Sequence, residues 1–107
     1  MTQPGHFLTA AQCWLALGQT NQAFNASLTA YRLRGAYAQR YGCKFFTYAG
    51  RDCELLSQLM HGADRVALAR YVNLLDNAAR LPLAGSDANC RRARHDLDLA
   101  KQLLNNQ

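Results

Sequence analysis

Gly18, Gly42, Gly50, Gly62 and the Leu81-Pro82 step cut this chain into five stretches with apolar residues at helical spacing, plus one short aromatic connector. Glycine ends a helix by reaching left-handed conformations, and the residue before a proline is pushed out of the helical region. Between these breaks Leu and Ala dominate, while Val, Ile and Thr are sparse, which favours helix over sheet. Half of the residues are hydrophobic and 18% are charged, the balance of a packed globule and not of a disordered chain. A chain of 107 residues builds one core. The expectation is an all-α protein, a compact bundle of about five helices forming a single domain over residues 1–107.

Thr9 and Gln12 form a capping-box pattern, with Leu8 placed to staple onto Cys13, so the first helix is expected to start there and to end at Gly18. The second runs from Thr20 or Asn21 towards Gly42. Phe24, Leu28, Tyr31, Gly35 and Ala38 lie on one side, and Ala26, Ala30, Leu33, Tyr37 and Tyr41 on the other. A polar strip between them carries Gln22, Asn25, Thr29, Arg32, Gln39 and Arg40. A helix apolar on two sides is central to its fold or shares a side with another molecule. Residues 43–49 read as an extended linker. Gly50 and Asp52 open a third helix around Leu55, Leu56, Leu59 and Met60, which Gly62 closes. Asp64 caps a fourth, with Leu68, Tyr71, Val72, Leu75 and Ala79 as its buried stripe. Ser86 or Asp87 caps a fifth, built on Cys90, Ala93, Leu97, Ala100 and Leu104. Arg92 with Asp96 and Arg94 with Asp98 stand four apart, a solvated pattern worth ~0.2–0.5 kcal/mol per pair.

Cys13, Cys43, Cys53 and Cys90 form no C-x-x-C pair and stand at no metal-ligand spacing from His6, His61 or His95. They are expected to be reduced, structural thiols in a cytoplasmic protein with neither metal nor cofactor. No charged side chain occurs in residues 1–31, yet Gln and Asn interrupt every apolar run, so neither a secretory signal nor a membrane span is expected. There is no glycine-rich phosphate loop and no nucleophile with a recognisable base; Cys53, near a helix start, is flanked by Asp52 and Glu54, which oppose a thiolate. The chain does not read as an enzyme.

Function is concentrated in residues 31–51. This stretch holds six of the ten aromatics and five cations, with no acid; elsewhere seven cations meet seven acids, so the whole formal excess of +5 lies here. Cations interleaved with flat rings suit single-stranded nucleic acid, where Arg32, Arg34, Arg40, Lys44 and Arg51 would take phosphates and Phe45, Phe46 or Tyr48 would stack on bases. In an extended segment Phe46 and Tyr48 share a face and Phe45 points oppositely, so one set is open for stacking. Tyr31 belongs with the core, while Tyr37 and Tyr41 fit either core or interface. The same composition also suits a protein interface, which would make the chain a helical adaptor or self-associating, dimeric subunit.

Trp14, Leu17-Gly18, Ala23 and Phe24 resemble one tetratricopeptide unit, but such folds need about three, and a generic helical hairpin is the better reading. Tyr41, Gly42, Tyr48, Gly50, Arg51, Asp52, Leu55, Leu56, Leu59 and Tyr71 resemble a helical segment of phage and plasmid replication-organiser proteins over residues 40–75. Arg51 stands where that pattern usually has Lys, and the chain leaves no room for the winged-helix domain those proteins usually carry. The resemblance implies a small accessory protein of a mobile genetic element that handles DNA or a replication partner.

Overall fold

Five α-helices follow one another: α1 (Pro4–Ala16), α2 (Thr20–Arg40), α3 (Arg51–Leu59), α4 (Arg65–Ala78) and α5 (Asp87–Asn105). The computed structural model describes residues 4–42, 46–78, 83–84 and 87–106. The protein is all-α, and the extended linker makes one small addition to that plan. Phe46–Thr47 (β1) pairs in parallel with Leu83–Ala84 (β2), Phe46 opposite Leu83 and Thr47 opposite Ala84. The expected stop at Leu81-Pro82, the Ser86 cap and the place of Ala79 lie outside the described residues. Among the described residues no helix is long and apolar enough to cross a membrane.

The first helix begins earlier than its capping pattern suggested. Proline's fixed φ suits a first turn, and α1 opens on Pro4. Thr9 therefore lies inside the helix, and its hydroxyl donates back to the Gly5 carbonyl at 3.0 Å instead of capping. The other helix starts follow their local signals. Asp64 accepts the Ala67 N–H at 2.8 Å, and its other carboxylate oxygen takes the Asn21 amide at 3.0 Å. Asn21 in turn accepts the Asp64 N–H at 2.8 Å, so the starts of α2 and α4 are latched together. Nearby, a Cβ at Gly62 would collide with the Thr20 side chain, so this approach requires glycine.

The two apolar sides of α2 are both used. Phe24, Leu28 and Tyr31 are buried in the core with Leu55, Leu56, Leu68 and Tyr71, and α1 packs along the helix near Ala23 and Ala30. At 1.5 Å per residue, α1 is ~12 Å shorter than α2. Its first residues reach the level of Ala30 and Arg34, where Gly5 and Leu8 share a small cavity with them. The last two turns of α2 therefore lack this cover.

Aromatic rings run through the core. Phe24 meets Tyr71 edge-on at 5.6 Å, and Tyr31 meets Tyr48 the same way at 5.7 Å. Tyr48 donates to the Asp96 carboxylate at 2.6 Å. Its only proton is thereby used, so in its 2.6 Å contact with Tyr71 the Tyr71 hydroxyl is the donor. Ser57 also donates to Asp96, and Arg92 donates to Ser57 at 3.3 Å. Asp96 is thus a buried acceptor tying α5 to α3, α4 and the segment after β1, and not the partner of Arg92 expected from their spacing. Among the described residues Arg94 and Asp98 form no ion pair either; at the surface Lys101 pairs with Asp76 at 3.4 Å and Arg65 donates to the Leu104 carbonyl at 3.4 Å, both linking α4 to α5.

The cysteines separate by environment. Cys53 is buried and Cys90 half-buried, as structural thiols, but Cys13 is exposed because it lies on the outer side of α1; Cys43 lies outside the described residues. Burial, then the Asp52 carboxylate, pushes the Cys53 thiol up to about 12. In the native protein at neutral pH, a maleimide followed by peptide mapping should mark Cys13 promptly and Cys53 only after urea is added. Equal labelling of both in the folded state would contradict this packing.

Candidate nucleic-acid interface

The basic aromatic segment divides into an inward and an outward part. Arg34 faces inward. Its Nε and Nη2 donate to the two oxygens of Asp52 at 3.1 and 3.0 Å, and Nη2 also reaches the Ala49 carbonyl at 2.6 Å. The guanidinium lies 5.5 Å from the centre of the Tyr31 ring. With Asp52 buried at the start of α3, this bidentate clasp fixes α3 on α2, and Arg34 is not an open phosphate ligand. Gly50 makes the approach: its φ of +104° suits glycine, and a Cβ there would lie 3.2 Å from the Asp52 carboxylate.

Tyr48 is likewise withdrawn. It is 1% exposed and its hydroxyl is held by Asp96 and Tyr71, so the stacking role expected of it is corrected to a core role. Arg51 is exposed but spends its charge on Glu54, one turn on, at 3.2 Å. Lys44 and Phe45 lie outside the described residues, and so does the Phe46 side chain, while the Phe46 backbone pairs in β1.

The outward part is the uncovered end of α2. Ala36, Tyr37, Gln39, Arg40 and Tyr41 are all exposed there, with Arg32 exposed two turns earlier on the same strip as Gln39. No Asp or Glu occurs anywhere in α2. Arg32 and Arg40 enter no ion pair among the described residues. Tyr37 and Tyr41, four apart, pack against each other with ring centres 4.7 Å apart and planes tilted by 44°, and are 49% and 70% exposed. The two rings left in water are thus Tyr37 and Tyr41, not the aromatics expected to stack, and Arg32 and Arg40 are exposed on the polar strip of the same helix.

Helical spacing alone left Tyr37 and Tyr41 open between core and surface. The difference in length between α1 and α2 decides it. Arg70 on α4 is also exposed and without an ion pair among the described residues, and no local sequence signal marks it, because its relation to Arg32 depends on how two helices pack. Among the described residues no group of three or more His, Cys, Asp or Glu side chains is arranged to hold a metal ion. The chain matches no known protein family, curated protein or solved structure, so the surface is read from its own chemistry.

Proposed function

We propose that the protein binds single-stranded nucleic acid along the exposed C-terminal half of α2. The observation that carries this reading is the pair of water-facing tyrosines, packed ring against ring at the end of a helix that has no acids and that also exposes Arg40 and, on another side, Arg32. Arg32 and Arg40 take phosphates, and the Tyr37–Tyr41 pair offers a face to a base. The resemblance to replication-organiser proteins supports a role as an accessory protein at the DNA of a mobile element.

Fluorescence anisotropy of a labelled single-stranded oligonucleotide, titrated across a range of salt concentrations, tests it. Saturable binding should weaken as salt rises, by about 0.7 in the log–log slope for each phosphate contact. R32Q/R40Q should then bind more weakly with a slope shallower by about 1.4. Y37A/Y41A should lose on the order of ten-fold in affinity with its slope unchanged, because stacking releases no counterions. Absence of binding at low salt from the folded wild-type protein sinks the reading.

A second reading has its own observation. Trp14, Leu15 and Leu17 are exposed at the end of α1, an apolar cluster of the kind that protein interfaces use. An adaptor or dimer formed there would show as a mass increase in sedimentation that salt does not disperse.

A further inference from the structure

Between α2 and α4 lies an open groove of about 390 Å³. Two polar stripes face each other across it. On α2, Asn25, Thr29 and Arg32 follow one another at steps of four and three; on α4, Arg70, Asn73 and Asn77 do the same at three and four. Leu28 and Leu74 supply its apolar surface. No carboxylate lines it, so its formal charge is that of two guanidiniums.

These groups are unspent. Among the described residues the side chains of Asn25, Arg32, Arg70, Asn73 and Asn77 make no hydrogen bond or ion pair, while the Thr29 hydroxyl donates to the Asn25 carbonyl at 3.0 Å and keeps its lone pairs to accept. Guanidiniums recognise phosphate by their planar fork. Carboxamides carry a donor and an acceptor side by side, which is the pattern of a base edge. A simple anion would use the arginines and leave three amides idle. An apolar peptide anchor would leave both cations unanswered. The groove's volume falls within the ~300–1,000 Å³ range of small-ligand sites.

We infer that the α2/α4 groove is a nucleotide site, with the phosphate between Arg32 and Arg70 and the base beside Asn25, Asn73 and Asn77 against Leu28 and Leu74. The site lies beside the strip proposed to carry the strand and shares Arg32 with it. Its ligand is a nucleotide whether free or part of a strand, so the inference goes beyond strand binding and does not require it.

Proton–nitrogen correlation spectra, in which side-chain amides are seen directly, provide the test. Titration with 5′-AMP and 5′-CMP is expected to shift the side-chain amide signals of Asn25, Asn73 and Asn77 saturably for at least one of them. Adenosine and inorganic phosphate should bind more weakly, since each offers half of the recognition. R32Q/R70Q, checked as folded by its backbone spectrum, should weaken the nucleotide by about ten-fold or more, as expected for lost charge-assisted bonds. Amide signals that stay fixed with both nucleotides, or shift equally in R32Q/R70Q, overturn the inference. The oligonucleotide titration runs beside it: strand binding with a silent groove overturns the site and leaves the α2 reading standing. A groove filled by a mononucleotide without strand binding supports the site, identifies its ligand as free nucleotide and sinks the strand reading.

Discussion

Asp96→Ala is expected to lower the stability of this protein by on the order of 3 kcal/mol, a large share of the ~5–15 kcal/mol typical of a single domain. The carboxylate is 4% exposed and accepts from Tyr48 and Ser57, with Tyr71 bonded behind Tyr48. Alanine removes the acceptor but leaves the Tyr48 hydroxyl where water does not reach it, and an orphaned buried donor costs more than the lost bond alone. The Asp96→Asn variant separates the contributions. Its carbonyl oxygen can still accept, so it should lose less than alanine, and a double-mutant cycle with Tyr48→Phe should show a coupling of about 1 kcal/mol or more. Urea melts of the four proteins measure all of this. An alanine variant within about 0.5 kcal/mol of wild type, the range of an ordinary surface change, would mean that Asp96 is solvated as its spacing from Arg92 first suggested.

Asp96 also shows where the sequence stops being legible. It stands three residues after Ala93 and four before Ala100, in the middle of the apolar stripe of α5. An acid on a core-facing stripe is a signal for a buried acceptor. The competing signal, Arg92 four residues earlier, is local and easy to see, whereas its actual partners are 48 and 39 residues away at Tyr48 and Ser57. The same holds for Arg34 and Asp52, which are 18 residues apart and fixed by the packing of α3 on α2. What was legible is what short-range chemistry decides. Gly18, Gly50, Gly62 and Asp64 mark helix ends because conformation at a cap depends on one or two residues. The start of α1 lies ahead of its capping pattern because a proline and a capping box compete within five residues, and the proline lies first. Exposure of Tyr37 and Tyr41 was undecidable locally, since it follows from where a neighbouring helix runs out. The α2 half of the groove was visible as a polar strip; the α4 half acquires meaning when the two helices are side by side.

Raising the pH should unfold the protein in a narrow alkaline window. Four buried groups hold their protons more tightly in the fold than in a free chain: Tyr31, Tyr48, Tyr71 and Cys53. In each, burial is the largest cause, because the ionised form would lose its water; at Tyr48 the neighbouring Tyr71 and the bond to Asp96 add to it. A group whose proton is bound more tightly in the native state contributes stability in full below its unfolded value and loses it as pH rises towards the native one. The unfolded values here are the ordinary 9.0 of a thiol and 10.0 of a phenol. Stability from these groups is therefore complete at neutral pH, starts to fall near pH 9 as the unfolded thiol ionises, and falls faster above pH 10 as three phenols join it. Each contributes about 1.4 kcal/mol per pH unit, so the four together remove several kcal/mol per unit, and the fold should be lost before the native values are reached. Far-UV circular dichroism and phenolate absorbance, followed together, should show helix loss coinciding with ionisation of the buried tyrosines. Tyr31→Phe sharpens the test. Among the described residues the buried Tyr31 hydroxyl has no hydrogen-bond partner, so its removal costs little at neutral pH, while it deletes one of the ionisations that drive unfolding. Its alkaline midpoint should move up and its proton uptake on refolding should fall by one. Ionisation of all the tyrosines with the helices intact would mean that water reaches the Tyr31–Tyr48–Tyr71 core, and the packing described for it would be wrong.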